Sequence, residues 1–119
     1  MLHGYALAVT LEFCAETLDS NKWVLDFGGM KPIKEYLVLM FDHKLLVAVD
    51  DPGLVYFLAL DPEVADIMIV DSVGCEAFSK MIFDWVEAWL LSTGHAPRVQ
   101  LCSVEVHEHG ANSAKYTRK

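Results

Sequence analysis

The chain has 119 residues, of which 54% are hydrophobic, and a formal net charge of -8 at pH 7. That length fits one domain with a single core. The acidic balance argues against a nucleic-acid partner, because such binding needs clustered Lys and Arg. A membrane partner is not expected either, because no apolar run approaches the roughly 18 residues of a spanning helix. Cys14, Cys75 and Cys102 are widely spaced, and we expect a cytoplasmic protein without disulfides.

The first predicted element is a β-strand. Between Tyr5 and Cys14, apolar and polar residues alternate with the period of two that is typical of a strand with one buried face. A turn rich in Asp, Ser and Asn follows. The segment "WVLDF" (23–27) is then predicted to form a second strand, antiparallel to the first.

Two longer helices and one brief helix are predicted. Apolar residues recur at helical spacing from Met30 to Phe41, with Pro32 in the first turn, where its missing N–H costs little. The segment "LVYFLAL" (54–60) lies between two turn sequences and is interpreted as a brief helix. A second apolar stripe runs from Phe78 to Trp89 on a helix that ends near Gly94.

Two further strands complete the predicted fold. The segment "DIMIV" (66–70) is short, apolar and rich in β-branched residues, and "RVQLCSVEV" (98–106) is the last strand. No linker or repeat interrupts the chain. This order of elements indicates one α+β domain over residues 1–119, with an antiparallel sheet and two helices on one of its faces.

Three polar clusters could carry chemistry. They are His3 at the start of the first strand, Asp42 with His43 after the first helix, and "HEHGANSAKY" (107–116) after the last strand. Taken singly, each is more typical of solvent-exposed residues than of a functional site.

Two weaker candidates are the remaining histidines and the cysteines. His107 and His109 would share one strand face and could pair on a metal, but two ligands do not make a metal site. The cysteines are interpreted as small buried hydrophobic residues, because none lies beside an obvious base in the sequence.

Taken together, the clusters resemble the 6-pyruvoyl tetrahydropterin synthase and 6-carboxytetrahydropterin synthase (QueD) family. The resemblance runs from His3 to Tyr116 and depends on five motifs that occur in the family's order. They are "HGYALAVTLEF" from His3, "WVLDFGGMKPIKEYL" from Trp23, "FDHKLL" with Asp42, "GCEAF" with Glu76, and "EHGANSAKY" from Glu108.

This resemblance implies a fold and an assembly. Family members adopt the tunnelling fold, in which subunits pair their sheets edge to edge into a barrel. A homo-oligomer, trimer or hexamer, is therefore expected. The high content of hydrophobic residues and the open sheet edges agree with this expectation, because copies of the same chain would cover the apolar surface and pair with the edges.

The resemblance also implies the site residues. Glu108 would anchor the pterin, because an ionised carboxylate can accept two parallel N–H bonds, and Glu76 would belong to the same substrate-binding site. Asp42 and His43 match the family's catalytic pair, in which the Asp orients the imidazole and the His moves protons. His3 would be a zinc ligand.

Zinc is the expected cofactor, but weak binding is predicted. The family holds zinc with three His, whereas Tyr5 takes the place of one of them here, and a phenol is a poorer zinc ligand than imidazole. The family's first zinc His and its Cys base precede this motif, where the sequence has only Met1 and Leu2. Either an N-terminal segment with a strand, a His and a Cys is missing, which we favour, or this homologue has lost part of the machinery.

Functions of different classes stay open. The first is a lyase that converts dihydroneopterin triphosphate for deazapurine (queuosine-type) biosynthesis, with zinc easing proton abstraction and triphosphate loss. The second is a catalytically impaired oligomer that binds a pterin or a purine. A structural partner with neither activity is a third hypothesis, and it predicts that Glu108 is dispensable for ligand binding.

Overall fold

The computed structural model describes residues 7–108 and 112–118 of the chain. Its strands are β1 (Leu7–Ala15), β2 (Leu45–Ala48), β3 (Ile67–Val70), β4 (Val99–Glu108) and β5 (Asn112–Thr117). Its helices are α1 (Lys31–Phe41), α2 (Leu54–Leu58) and α3 (Cys75–Ser92), with a 3-10 helix at Phe27–Met30. The predicted α+β class and all three predicted helices are confirmed. Among the described helices, none is both long and apolar enough to cross a membrane.

The main sheet is antiparallel, with β4 between β1 and β5. The β1–β4 ladder pairs Leu7 with Glu108 at one end and Ala15 with Val99 at the other, with a shift of register after Glu12. The alternation in β1 has the predicted cause. Its odd-numbered residues from Leu7 to Leu11 pack against the core, and the even-numbered residues between Ala8 and Glu12 are exposed.

Helix α3 lies across β4 and β5 and forms most of the core with them. The fully buried side chains include Phe78, Ile82, Val86 and Leu90 of α3 and Val99, Leu101, Val104 and Val106 of β4. The two tryptophans predicted for the stripe, Trp85 and Trp89, are only partly buried. The helix ends at a Gly94 with φ of +78°, a left-handed conformation that favours glycine.

Helix α1 packs against α3 in the opposite direction. Tyr36 stacks on Trp85 with ring centroids 4.2 Å apart, and Phe41 meets Phe78 edge to face at 5.2 Å. The residue order along α1 therefore runs opposite to that along α3, so the two helices are antiparallel. The C-terminal end of α1 lies beside the first turn of α3.

The predicted second strand is wrong. Within the described residues, 23–27 form no strand, and β1 pairs only with β4. One physical reason is Arg98, whose guanidinium donates to the carbonyls of Thr17 and Val24, both at 2.9 Å. These bonds hold the 17–24 loop away from a β-ladder. A largely apolar cleft of about 700 Å³ remains between this segment and the edge of β1.

Two strands were not predicted, and one pair of strands is parallel and lies outside the antiparallel main sheet. The predicted strand at 66–70 is confirmed as β3, but it pairs in parallel with β2, apart from the main sheet. The four residues of β2 are too few to show a period. The sequence of β5 is mostly polar, because only Ala114 and Tyr116 pack against the core, and the strand was therefore not predicted.

The expectation of no disulfide is also wrong. Cys14 and Cys102 are 88 residues apart in the sequence, yet they are joined by a disulfide with a Cα–Cα distance of 6.2 Å. Pairing of β1 with β4 brings them together at the shift of register. Spacing along the chain was a poor guide, because strand pairing decides which cysteines meet. Cys75 is a free, buried thiol.

Candidate functional site

The start of α3 is shaped by a glycine. Gly74 has φ of +124°, which side chains rarely tolerate, and it directly precedes the helix. Cys75 then turns inward and is only 5% exposed, whereas Glu76 is exposed in the first turn. A carboxylate is favourable there, because the helix N-terminus carries partial positive charge.

The end of β4 directs Glu108 toward this helix start. Side chains alternate along a strand, so Glu108 shares a face with Val104 and Val106, which are buried under α3. Glu108 Oε2 lies 3.9 Å from Cys75 Sγ, and the carbonyl of Asn112 on β5 lies 4.0 Å from the same sulfur. Glu108, half-buried, therefore meets α3 at its first residue.

The electrostatics of Cys75 reflect two carboxylates. Burial, followed by the negative charges of Glu108 and Glu76, raises the pKa of the Cys75 thiol above its ordinary value. Both acidic residues predicted to bind substrate are thus close enough to act on one sulfur. The thiol keeps its proton at neutral pH and can donate a hydrogen bond to Glu108.

The predicted catalytic pair lies where α1 ends. The backbone N–H of Asp42 still donates to Val38 O at 3.0 Å, and His43 follows with φ of +55°, a left-handed conformation uncommon outside glycine. His43 Nε2 is 3.7 Å from Asp42 Oδ1, longer than an ordinary N–H···O bond. Both side chains are more than half exposed.

The Asp42–His43 pair and the Cys75–Glu108 contact lie at the same end of the packed helices α1 and α3. Phe41, next to Asp42, packs on Phe78, which is one turn beyond Cys75. The end of α1, with Asp42 and His43, therefore lies beside the first turn of α3, which contains Cys75 and Glu76. Cys75 is buried, as the cysteines were predicted to be, but its contact with Glu108 was not predicted.

His107, the described histidine of the last strand, does not join this site. His107 lies on the other face of β4 from Glu108 and forms an ion pair with Glu105. His109, its predicted partner on a metal, lies outside the described residues.

The predicted zinc site cannot be built from the residues the structure describes. Among 7–108 and 112–118, no group of three or more His, Cys, Asp or Glu could hold a metal ion. The predicted ligand His3 and the substituted Tyr5 lie outside these ranges. Zinc binding stays a prediction.

Fold and site together define a small α+β protein that gathers carboxylates from a strand end and a helix start at one edge of its core. The family model described as 6-pyruvoyl tetrahydropterin synthase matches residues 1–119. The chain belongs to this family, as its motifs predicted.

Two similar proteins extend this result. The 6-carboxy-5,6,7,8-tetrahydropterin synthase of Aquifex aeolicus (strain VF5) is 24% identical over 118 residues, which is 97% of this chain and 73% of the relative. A crystal structure of an uncharacterized protein from Wolinella succinogenes superposes with a TM-score of 0.83 at 18% identity, covering 100% of this chain and 80% of that one. The structural match supports the fold alone.

Proposed function

We propose that the protein is a 6-carboxytetrahydropterin synthase-like lyase that acts on dihydroneopterin triphosphate. Membership of the pterin synthase family supports pterin chemistry, and the name of the Aquifex relative supports this branch of it. A role in deazapurine biosynthesis is part of the same proposal.

The observation that carries the proposal is the contact of the Glu108 carboxylate with the Cys75 thiol at the start of α3, next to Glu76. The pyrimidine edge of a pterin presents a 2-amino group and a ring N–H side by side. An ionised carboxylate accepts both, and a half-buried one does so with little competition from water. Glu108 is proposed as this anchor, and Glu76 as a second acceptor at the start of α3.

The proton transfers are assigned to the pair at the end of α1. His43 accepts a proton from the pterin side chain as the triphosphate departs, since a neutral imidazole nitrogen is a proton acceptor. Asp42, with Oδ1 3.7 Å from His43 Nε2, is placed to orient the imidazole. The exposure of both side chains leaves them accessible to a substrate that bridges from Glu108.

Assembly is part of the proposal. β1 and β5 are the outer strands of the described main sheet, and edge strands carry backbone groups ready to pair with another chain. We expect a trimer or hexamer formed by these edges. Light scattering at micromolar concentration measures it directly, and a monomer under those conditions would contradict this part of the proposal.

The test is turnover of dihydroneopterin triphosphate. Release of triphosphate and acetaldehyde is expected, and His43→Ala should reduce the rate roughly 10²- to 10⁴-fold while the pterin still binds. His95→Ala is the matched control, because His95 stacks on Trp89 near the opposite end of α3. Pterin binding without any product would favour the alternative, an impaired pterin-binding oligomer.

A further inference from the structure

We propose that Cys75 is a positioning residue whose thiol holds the Glu108 carboxylate in place for ligand recognition. The inference depends on the proposed pterin site, which it deepens. No direct contact between Cys75 and the ligand is required.

The geometry places Cys75 between three elements. It is the first residue of α3, and its Sγ lies 3.9 Å from Glu108 Oε2 on β4 and 4.0 Å from the Asn112 carbonyl on β5. Glu108 and Asn112 are also cross-strand partners at the end of the β4–β5 ladder. One side chain therefore connects the helix start to both strands at the point where the proposed anchor projects.

In this contact Cys75 is the hydrogen-bond donor and Glu108 is the acceptor. A protonated thiol is a weak donor, and an ionised carboxylate is only an acceptor. The S–H can therefore donate to Glu108, but it cannot replace the carboxylate as the acceptor for the ligand. Burial and the neighbouring carboxylates raise the pKa of the thiol, which keeps the proton on sulfur. A contact with Oε2 leaves Oε1 and the remaining lone pairs of Oε2 for a ligand.

Restraint of the Glu108 carboxylate favours ligand binding, because an unrestrained Glu side chain adopts several conformations. A Glu side chain has several rotatable bonds, and ordering it during binding opposes affinity. A thiol that restrains the carboxylate beforehand removes part of that loss. A serine hydroxyl is a stronger donor on a shorter side chain, so it can replace the thiol once the Glu108 carboxylate moves closer to it, whereas an alanine offers no donor.

The experiment measures the Kd of pterin itself, by its fluorescence, for the wild type, Cys75→Ala, Cys75→Ser and Leu90→Ala. Cys75→Ala is expected to weaken binding roughly fivefold to tenfold, and Cys75→Ser to remain within about twofold of the wild type. Leu90 is fully buried on the same helix, about 22 Å further along its axis. Leu90→Ala should lower the melting temperature and leave the Kd within about twofold.

Each outcome decides between the two proposals. A wild-type protein that binds no pterin overturns the proposed function and this inference together. A wild-type protein that binds pterin, with Cys75→Ala binding equally well, overturns the inference alone. Equal weakening in Cys75→Ala and Cys75→Ser also overturns it, because packing rather than donation would then matter. If Leu90→Ala fails to fold, the comparison of the two Cys75 variants still decides.

Discussion

The two ends of β4 have different chemistry. At the start of the strand, Cys102 is joined covalently to β1 and Arg98 is bonded to two loop carbonyls. At its end, Glu108 meets a free thiol and lies near a second carboxylate. The two cysteines of the main sheet are therefore cross-linked at one end, and the acidic groups gather at the other, about 20 Å away.

This difference separates stability from function. The cross-linked end stabilises the sheet and contains none of the proposed site residues. The acidic end brings like charges together, an arrangement that ligand N–H groups relieve but that adds nothing to folding by itself. Changes at the first end should therefore alter unfolding, and changes at the second should alter binding.

The largest effect should come from the disulfide. Replacing both Cys14 and Cys102 by Ser opens a loop of 88 residues and should lower the free energy of unfolding by about 4 kcal/mol. For a chain of this size that is about 15 °C in melting temperature. Calorimetry measures the change, and the Kd for pterin should stay the same.

Reduction of the wild type provides the control for this prediction. A thiol reductant should lower the melting temperature of the wild type and leave the double Ser variant unchanged. Equal melting temperatures with and without reductant would show that the cross-link adds no stability.

A smaller effect is expected at Arg98, which lies at the same end. Arg98→Ala removes the bonds to Thr17 and Val24 and should cost about 2 kcal/mol, measured by urea unfolding. Arg98→Lys is the matched control, because it keeps the charge but not the planar fork that reaches two carbonyls. Full stability in both variants would mean that these bonds do not hold the loop.

The smallest effect is a pH dependence from Cys75. The pKa of its thiol is higher in the folded protein than in the unfolded chain, so the folded state binds the proton more tightly. That stabilisation is fully present below the unfolded pKa of about 8.5 and is lost as pH rises through the folded value. Urea unfolding at several alkaline pH values should show this loss in the wild type, and Cys75→Ser should lack it. The same slope in both proteins would assign it to other groups.

The sequence predicted elements whose cause is local. β1, α1 and α3 follow from their own periods and turn residues. Asp42, His43, Glu76 and Glu108 stay predictions from motifs. It failed where distant partners decide. The edge of β1 is not filled by residues 23–27, because Arg98, more than 70 residues later, bonds to that loop. The disulfide depends likewise on the β1–β4 pairing.

The site shows the same limit. Glu76 and Glu108 are 32 positions apart in the sequence, and nothing in either motif indicates that they flank one thiol. The sequence around Cys75 indicates only a small core residue, because its neighbours in space are distant in the sequence. Its contacts with Glu108 and Asn112 follow from α3 crossing the ends of β4 and β5.

The central claim is that the Glu108 carboxylate anchors a pterin, and the most direct measurement is the Kd of pterin for the wild type and for Glu108→Gln. The account predicts a loss of affinity of roughly 10- to 100-fold, with the melting temperature nearly unchanged because the variant keeps the size of the side chain. Equal affinity in the two proteins would contradict it.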